Sequence, residues 1–263
     1  MLNQLRARSL GGRLMINIIY SEFVKLKKSY ILIVALFSGC FISGTIFITN
    51  MLRQRNELVS LTERVEGSIV DIDRMSALFI YNIIFSLIAA YIFSREYTDK
   101  TANTLYAYPA GRMKIFFGKF ITTCALIVFV YLIQVLTTYL SLYIEWGVLP
   151  SAKFISADIK VNICSILLQF LLMPIPILIA NITRNIIVPI VYGLLGDVMV
   201  GLLLGAGANI YSQFCPLTLP ILPFYHYHKG DPIDIVIVSG SAIITFSVFM
   251  LLCIYHYSKV DMD

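Results

Sequence analysis

Three patterns in this chain carry side chains capable of chemistry. The first is Asp197, the one acid deep inside an apolar run. A charge at that depth is costly and normally faces a cavity or a partner. Either Asp197 lines a translocation path and meets a cationic group, or it is a packing device, protonated or hydrogen-bonded to nearby polar groups. The second is the H-x-H of His226 and His228. A metal site needs further ligands at suitable spacing, and Cys215 and Asp231 are only loosely placed for that. Phe224, Tyr225 and Tyr227 surround the pair and read as an interfacial aromatic belt, so no metal is assigned. The third is Gly118-Lys119. It fails as a nucleotide loop, because the pattern G-x-x-x-x-G-K-[ST] needs glycine where Met113 stands and Ser or Thr where Phe120 stands. H-E-x-x-H, G-x-S-x-G and G-x-G-x-x-G are absent, and no catalytic residue is assigned. A lipid-modifying membrane enzyme would need catalytic groups clustered at one depth; His256, near a membrane face, has no evident partner. If ATP drives this protein, another chain binds it.

The elements that must position these residues are membrane helices. Of 263 residues 59% are apolar and 13% charged, with mean hydropathy +0.83; a soluble domain carries about 25% charged residues. A bilayer core needs about 20 apolar residues as helix. Six stretches qualify, at about 30–49, 75–94, 120–144, 161–183, 186–208 and 235–257. The fold class is all-α, a six-span membrane protein with both termini on one side. Of the twenty Lys and Arg, thirteen lie in the N-terminus, the 95–119 loop, the turn at 184 and the C-terminus, and seven in the other loops. The asymmetry places the termini and the 95–119 loop in the cytoplasm.

The connecting segments are patterned too. Residues 1–14 are polar and basic and unlike a secretory signal; they read as a flexible extension or a cloning remnant, with Met15 as the native start. Residues 15–29 put Ile16, Ile19, Tyr20, Phe23 and Leu26 at helical spacing, an interfacial amphipathic helix whose lysines face anionic headgroups. The membrane domain is 30–263. Within it, 50–74 is balanced in charge and suits a small amphipathic extracytoplasmic helix. Met173-Pro-Ile-Pro176 should break or kink the fourth span, and Pro189 the fifth. Gly201 and Gly205 form G-x-x-x-G, a close-packing face for a second subunit or for a neighbouring helix of the same chain. The Pro-rich 209–232 loop suits a re-entrant hairpin. Cys40, Cys124, Cys164, Cys215 and Cys253 are scattered and read as structural, without a disulfide framework.

The stretch from Ser94 to Lys119 carries seven charges between two apolar walls. Glu96, Thr101, Leu105, Pro109, Arg112, Ile115 and Lys119 match the spacing E-x4-[G/K]T-x3-L-x3-P-x2-R-x2-I-x3-K, with Lys100 where many members have Gly. This resembles the cytoplasmic loop after the second span in permease subunits of type-2 ATP-binding-cassette exporters, and is similar to the small permeases of lantibiotic immunity, bacitracin resistance and peptide-toxin export. The resemblance implies a coupling helix within about 97–108 that docks in a cleft of a cytoplasmic ATPase subunit. Thr98 or Asp99 can cap it, Leu105, Tyr106 and Tyr108 can anchor it, and Pro109 to Gly111 can end it. Glu96 would pair with Arg95 or Arg112 and fix the loop's angle. It further implies two ATPase subunits holding ATP and Mg, a second permease chain, identical or related, and an amphipathic or antimicrobial peptide as cargo in a bacterial plasma membrane. A rival class is an ion- or proton-coupled carrier that uses Asp197.

Overall fold

The computed structural model describes residues 16–27, 29–52, 60–98, 111–205 and 207–259. Every regular element among them is helical. Helix α1 covers 16–27, α2 Ile31–Leu52, α3 Leu61–Phe79, α4 Tyr81–Thr98 and α5 Arg112–Trp146. Helix α6 is Ala152–Leu172, α7 Pro174–Thr183, α8 Ile187–Leu204, α9 Ile210–Phe214 and α10 Ile235–Lys259. Short turns Pro216–Ile221, Leu222–Phe224 and Tyr225–Lys229 fill the space between α9 and α10.

Five helical stretches are long and apolar enough to cross a membrane: α2, α5, the α6–α7 unit, α8 and α10. The pair α3 and α4, bent by 49°, passes the same test only when taken together, as a broken span or a re-entrant loop. The expected second span therefore starts late. Ser60 caps α3 in a reciprocal capping box with Glu63, and the amphipathic helix then runs to Phe79. Its buried face is Val65, Ile69, Ile72, Asp73 and Ser76, a helical repeat. The apolar composition of 75–79 continues across the break at Ile80, so composition alone could not locate it.

Helix α4 is buried around most of its circumference and is the centre of the bundle. Phe85, Ile88, Ala89, Ala90 and Phe93 pack with Phe116, Ile127 and Val130 of α5, Met173 beside α7, Ile177 of α7 and Cys253 of α10. Two close backbone approaches define its neighbours. A Cβ at Gly193 would lie 2.5 Å from the Asn82 carbonyl oxygen and 2.8 Å from Ile83 Cα, so α8 rests directly on α4. A Cβ at Gly39 would lie 2.9 Å from Ile133 Cγ2 and 3.0 Å from the Val130 oxygen, which does the same for α2 on α5. Ser43 and Thr138 share a buried hydrogen bond of 2.8 Å across that second seam.

The prolines act unequally. Met173 interrupts the fourth span at the expected motif, and the Pro174 carbonyl beside the break accepts from Cys253 Sγ at 3.3 Å. Pro189 does not break α8. That helix begins at Ile187, so Pro189 falls in its first turn, where the missing N–H has no intrahelical partner to lose. The 209–232 segment is packed rather than loose. Leu219, Ile221, Leu222, Phe224 and Tyr225 are buried against Val161, Val200, Leu204, Val238 and Ala242. Phe224 and Tyr225 are thus core residues and not part of an exposed aromatic belt, while Tyr227 is exposed. All five cysteines are free.

Candidate functional site

The end of α4 and the start of α5 flank the segment expected to form the coupling helix. Thr101, Leu105, Tyr106, Tyr108 and Pro109 lie outside the described residues. What the structure gives is the frame on either side. Glu96 sits in the last turn of α4 with 7% exposure. Its Oε2 accepts from Lys119 Nζ at 2.8 Å and its Oε1 from Lys25 Nζ at 3.1 Å. Lys119 is 1% exposed, donates also to the Ile92 carbonyl at 2.8 Å, and stands 5.8 Å from the Phe93 ring centroid. Arg112 is the first residue of α5, after an N-cap at Gly111.

Lys25 brings α1 into the same network. It donates to Glu22 at 2.7 Å as well as to Glu96. Glu22 is itself buried. Burial works against the Lys25 charge, but the hydrogen bonds and charges of Glu22 and Glu96 outweigh it and hold the ammonium above the ordinary lysine range. Lys25, half-buried, is thus bonded to two glutamates of the protein, where the sequence suggested a headgroup-facing lysine; Lys27 is exposed. Gly118 permits the approach: a Cβ there would lie 2.7 Å from Ile18 Cγ2 of α1. Two lysines and two glutamates close a neutral, mostly buried set that ties α1, α4 and α5 together. The sequence pointed Glu96 toward Arg95 or Arg112; the partners described here are Lys25 and Lys119, placed by a helix that starts at 112 and turns position 119 inward.

Asp197, 8% exposed in α8, faces α4. Its Oδ1 accepts from Asn82 Nδ2 at 2.9 Å, and its Oδ2 has no hydrogen-bond partner among the described residues. Gly193 and Gly196 lie on the same side of α8, so Asp197 stands at a tight helix–helix seam. Gly201 and Gly205 do not make that seam. A Cβ at Gly201 would meet nothing within 4 Å, and one at Gly205 would meet only the chain's own backbone. Both border a surface cavity of about 270 Å³ with Arg74, Tyr225 and Lys229.

At the other end of α5 lies a polar cluster that sequence reading missed. Asp73 of α3, Asp158 of α6 and His228 converge, with side chains 9%, 3% and 2% exposed. His228 Nε2 is 3.6 Å from Asp158 Oδ1 and 3.9 Å from Asp73 Oδ2. Gln134 Nε2 donates to Asp73 Oδ1 at 2.8 Å, and Tyr139 donates to Asp158 Oδ2 at 2.8 Å. Tyr81 donates to Gln134 Oε1 at 3.0 Å and so extends the chain of bonds to α4. The His228 ring stacks on Phe154 at 5.0 Å between centroids and meets Phe224 edge-on at 5.6 Å. H-x-H was visible in the sequence. Its partners were not, because they lie on two helices distant in the chain.

Residues 18–200 match the family model described as ABC-2 family transporter protein. The chain belongs to the ABC-2 transporter family. It is a multi-pass transmembrane subunit of an ABC transporter, and the family implies an ABC ATPase partner. No curated protein matches the chain.

Proposed function

We propose that this ABC-2 permease is half of an ATP-driven exporter for amphipathic or antimicrobial peptides, working from a bacterial plasma membrane with both termini in the cytoplasm. A second permease chain completes the path. Two cytoplasmic ATPase subunits, which hold ATP and Mg, dock on the 97–108 segment through Leu105, Tyr106 and Tyr108. No covalent chemistry takes place in this chain; closure of the ATPase dimer moves the docked segment and the permease halves change their opening. The peptide cargo rests on the resemblance to immunity and toxin-export permeases.

The observation that carries the coupling part of this reading is the Glu96–Lys119 pair with its Lys25 arm. Both flanks of the docking segment are anchored to one another and to α1, so a push on the segment is delivered to α4 and α5 together. A loose loop would absorb it. In this reading Thr101, Pro109 and Arg112 shape the docking segment, and Asp197 lies beside the translocation path. The test is co-purification from native membranes. The wild-type chain brings down a stoichiometric soluble ATPase, and Leu105→Glu loses it while its spans remain folded. Undiminished co-purification of the variant would falsify the docking.

A further inference from the structure

The geometry points to a site for one divalent transition-metal ion of the zinc class, ligated by Asp73, Asp158 and His228. Three observations carry it. First, one potential ligand atom from each residue lies within 4.8 Å of the other two, and these atoms come from three separate elements. The His228–Asp158 separation of 3.6 Å and the His228–Asp73 separation of 3.9 Å exceed hydrogen-bond length. They are close to the spacing that ligands adopt around a tetrahedral ion with bonds of about 2.0–2.2 Å. Second, two of the three inward-facing atoms are unsatisfied. Asp73 Oδ2 and His228 Nε2 are buried and have no hydrogen-bond partner among the described residues. Buried polar atoms are otherwise nearly always paired.

Third, the remaining atoms are already held as outer partners of a metal site hold them. Gln134 fixes Asp73 through Oδ1, the oxygen turned away from His228. Tyr139 fixes Asp158 through Oδ2, likewise the far oxygen. Asn162 Nδ2 steadies Asp158 through its backbone carbonyl at 3.0 Å and more loosely through Oδ1 at 3.3 Å. Phe154 and Phe224 fix the imidazole plane.

Charge and donor type choose the ligand. As ligands, two carboxylates and one imidazole bring two negative charges to a site nearly shielded from solvent, and a divalent cation cancels them. Imidazole nitrogen with carboxylate oxygen favours zinc and its first-row neighbours over calcium or magnesium, which take oxygen donors. A cavity of about 20 Å³ lined by Asp73, Asn162 and Phe224 borders the cluster; that is room for one water. Because its ligands come from three separate elements, the ion would staple α3, α6 and the Tyr225–Lys229 turn together.

The experiment is equilibrium zinc binding to the full-length chain in lipid nanodiscs, read by competition with a chromophoric chelator. One zinc per chain is expected. Gln134→Leu weakens binding about 10-fold, as loss of an outer partner does, and His228→Gln weakens it more than about 100-fold, beyond the range of such outer losses. His226→Gln leaves it unchanged. X-ray absorption of zinc-loaded wild type needs no variant to fold, and shows one imidazole with oxygen donors and no sulfur. Less than a tenth of a zinc per chain, undiminished binding by His228→Gln, or a sulfur-containing shell overturns the site. None of these results depends on which cargo the transporter carries.

Discussion

Glu96 and Lys119 meet at 2.8 Å with both side chains shielded from solvent, so the last turn of α4 and the second turn of α5 are bound by a buried ion pair. Such a pair contributes little net stability when compared with an apolar replacement of both partners. Removing only one is a different matter, because the remaining charge is left buried and unpaired.

Lys119→Met is therefore expected to destabilise the chain by about 3 kcal/mol. Combining it with Glu96→Gln should recover most of the loss. Thermal unfolding of the purified chain in detergent measures both. Additive losses in the double variant would show that the two residues do not act as a pair.

Lys25 makes the α1 attachment sensitive to pH. Its ammonium is held above the ordinary lysine value of 10.5 by Glu22 and Glu96, against the opposing effect of burial. A raised lysine contributes stability that is complete below the unfolded pKa and disappears as pH rises through the folded one. Protection of residues 16–27 against hydrogen exchange, taken relative to the base-catalysed intrinsic rate, should thus be unchanged up to about pH 10 and fall above it, and Lys25→Met should show low protection at all pH values. Equal exchange in variant and wild type would rule out the tether.

The glycines of α8 should separate cleanly. Gly193→Ala drives a methyl into the Asn82 carbonyl and the Ile83 backbone, with an expected cost of about 1–3 kcal/mol. Gly201→Ala meets open space, and helix propensity favours it by up to about 1 kcal/mol. Melting temperatures of the two variants test the ranking, and the reverse order would contradict the α4–α8 seam.

At Asp197, the substitution to Asn keeps an oxygen for Asn82 Nδ2, so folding should be retained. Asp197→Leu strands that donor and should cost about 1–3 kcal/mol. In the assembled transporter, Asp197→Asn should alter cargo-stimulated ATPase activity. Wild-type activity together with a destabilised Leu variant would assign the residue to packing alone.

The spans were readable because length and apolarity suffice to recognise a membrane helix. What escaped was where the chain departs from that rule. Residues 75–79 are as apolar as a span yet belong to the amphipathic α3. Lys119 carries a charge and so reads as a loop residue, but α5 begins at Arg112 and position 119 comes to face Glu96. Gly201 and Gly205 form the familiar motif, whereas the glycine in backbone contact is Gly193, which no spacing rule singles out. Asp73 and Asp158 each look like one more polar residue near a helix end. Only the fold of 209–232 onto α3 and α6 brings His228 between them.

Helix α5 spans 35 residues without interruption, about 52 Å at about 1.5 Å per residue. Near its first turns Lys119 holds Glu96; toward its far end Gln134 and Tyr139 hold Asp73 and Asp158. The two polar networks are thus mounted on one rigid rod. A tilt of about 5° pivoted at one end displaces the other by about 4–5 Å, close to the rise of one helical turn. Mechanically, α5 is a lever: a small rotation imposed at the Arg112 end would arrive at the Trp146 end as a sideways displacement of about half an interhelical spacing.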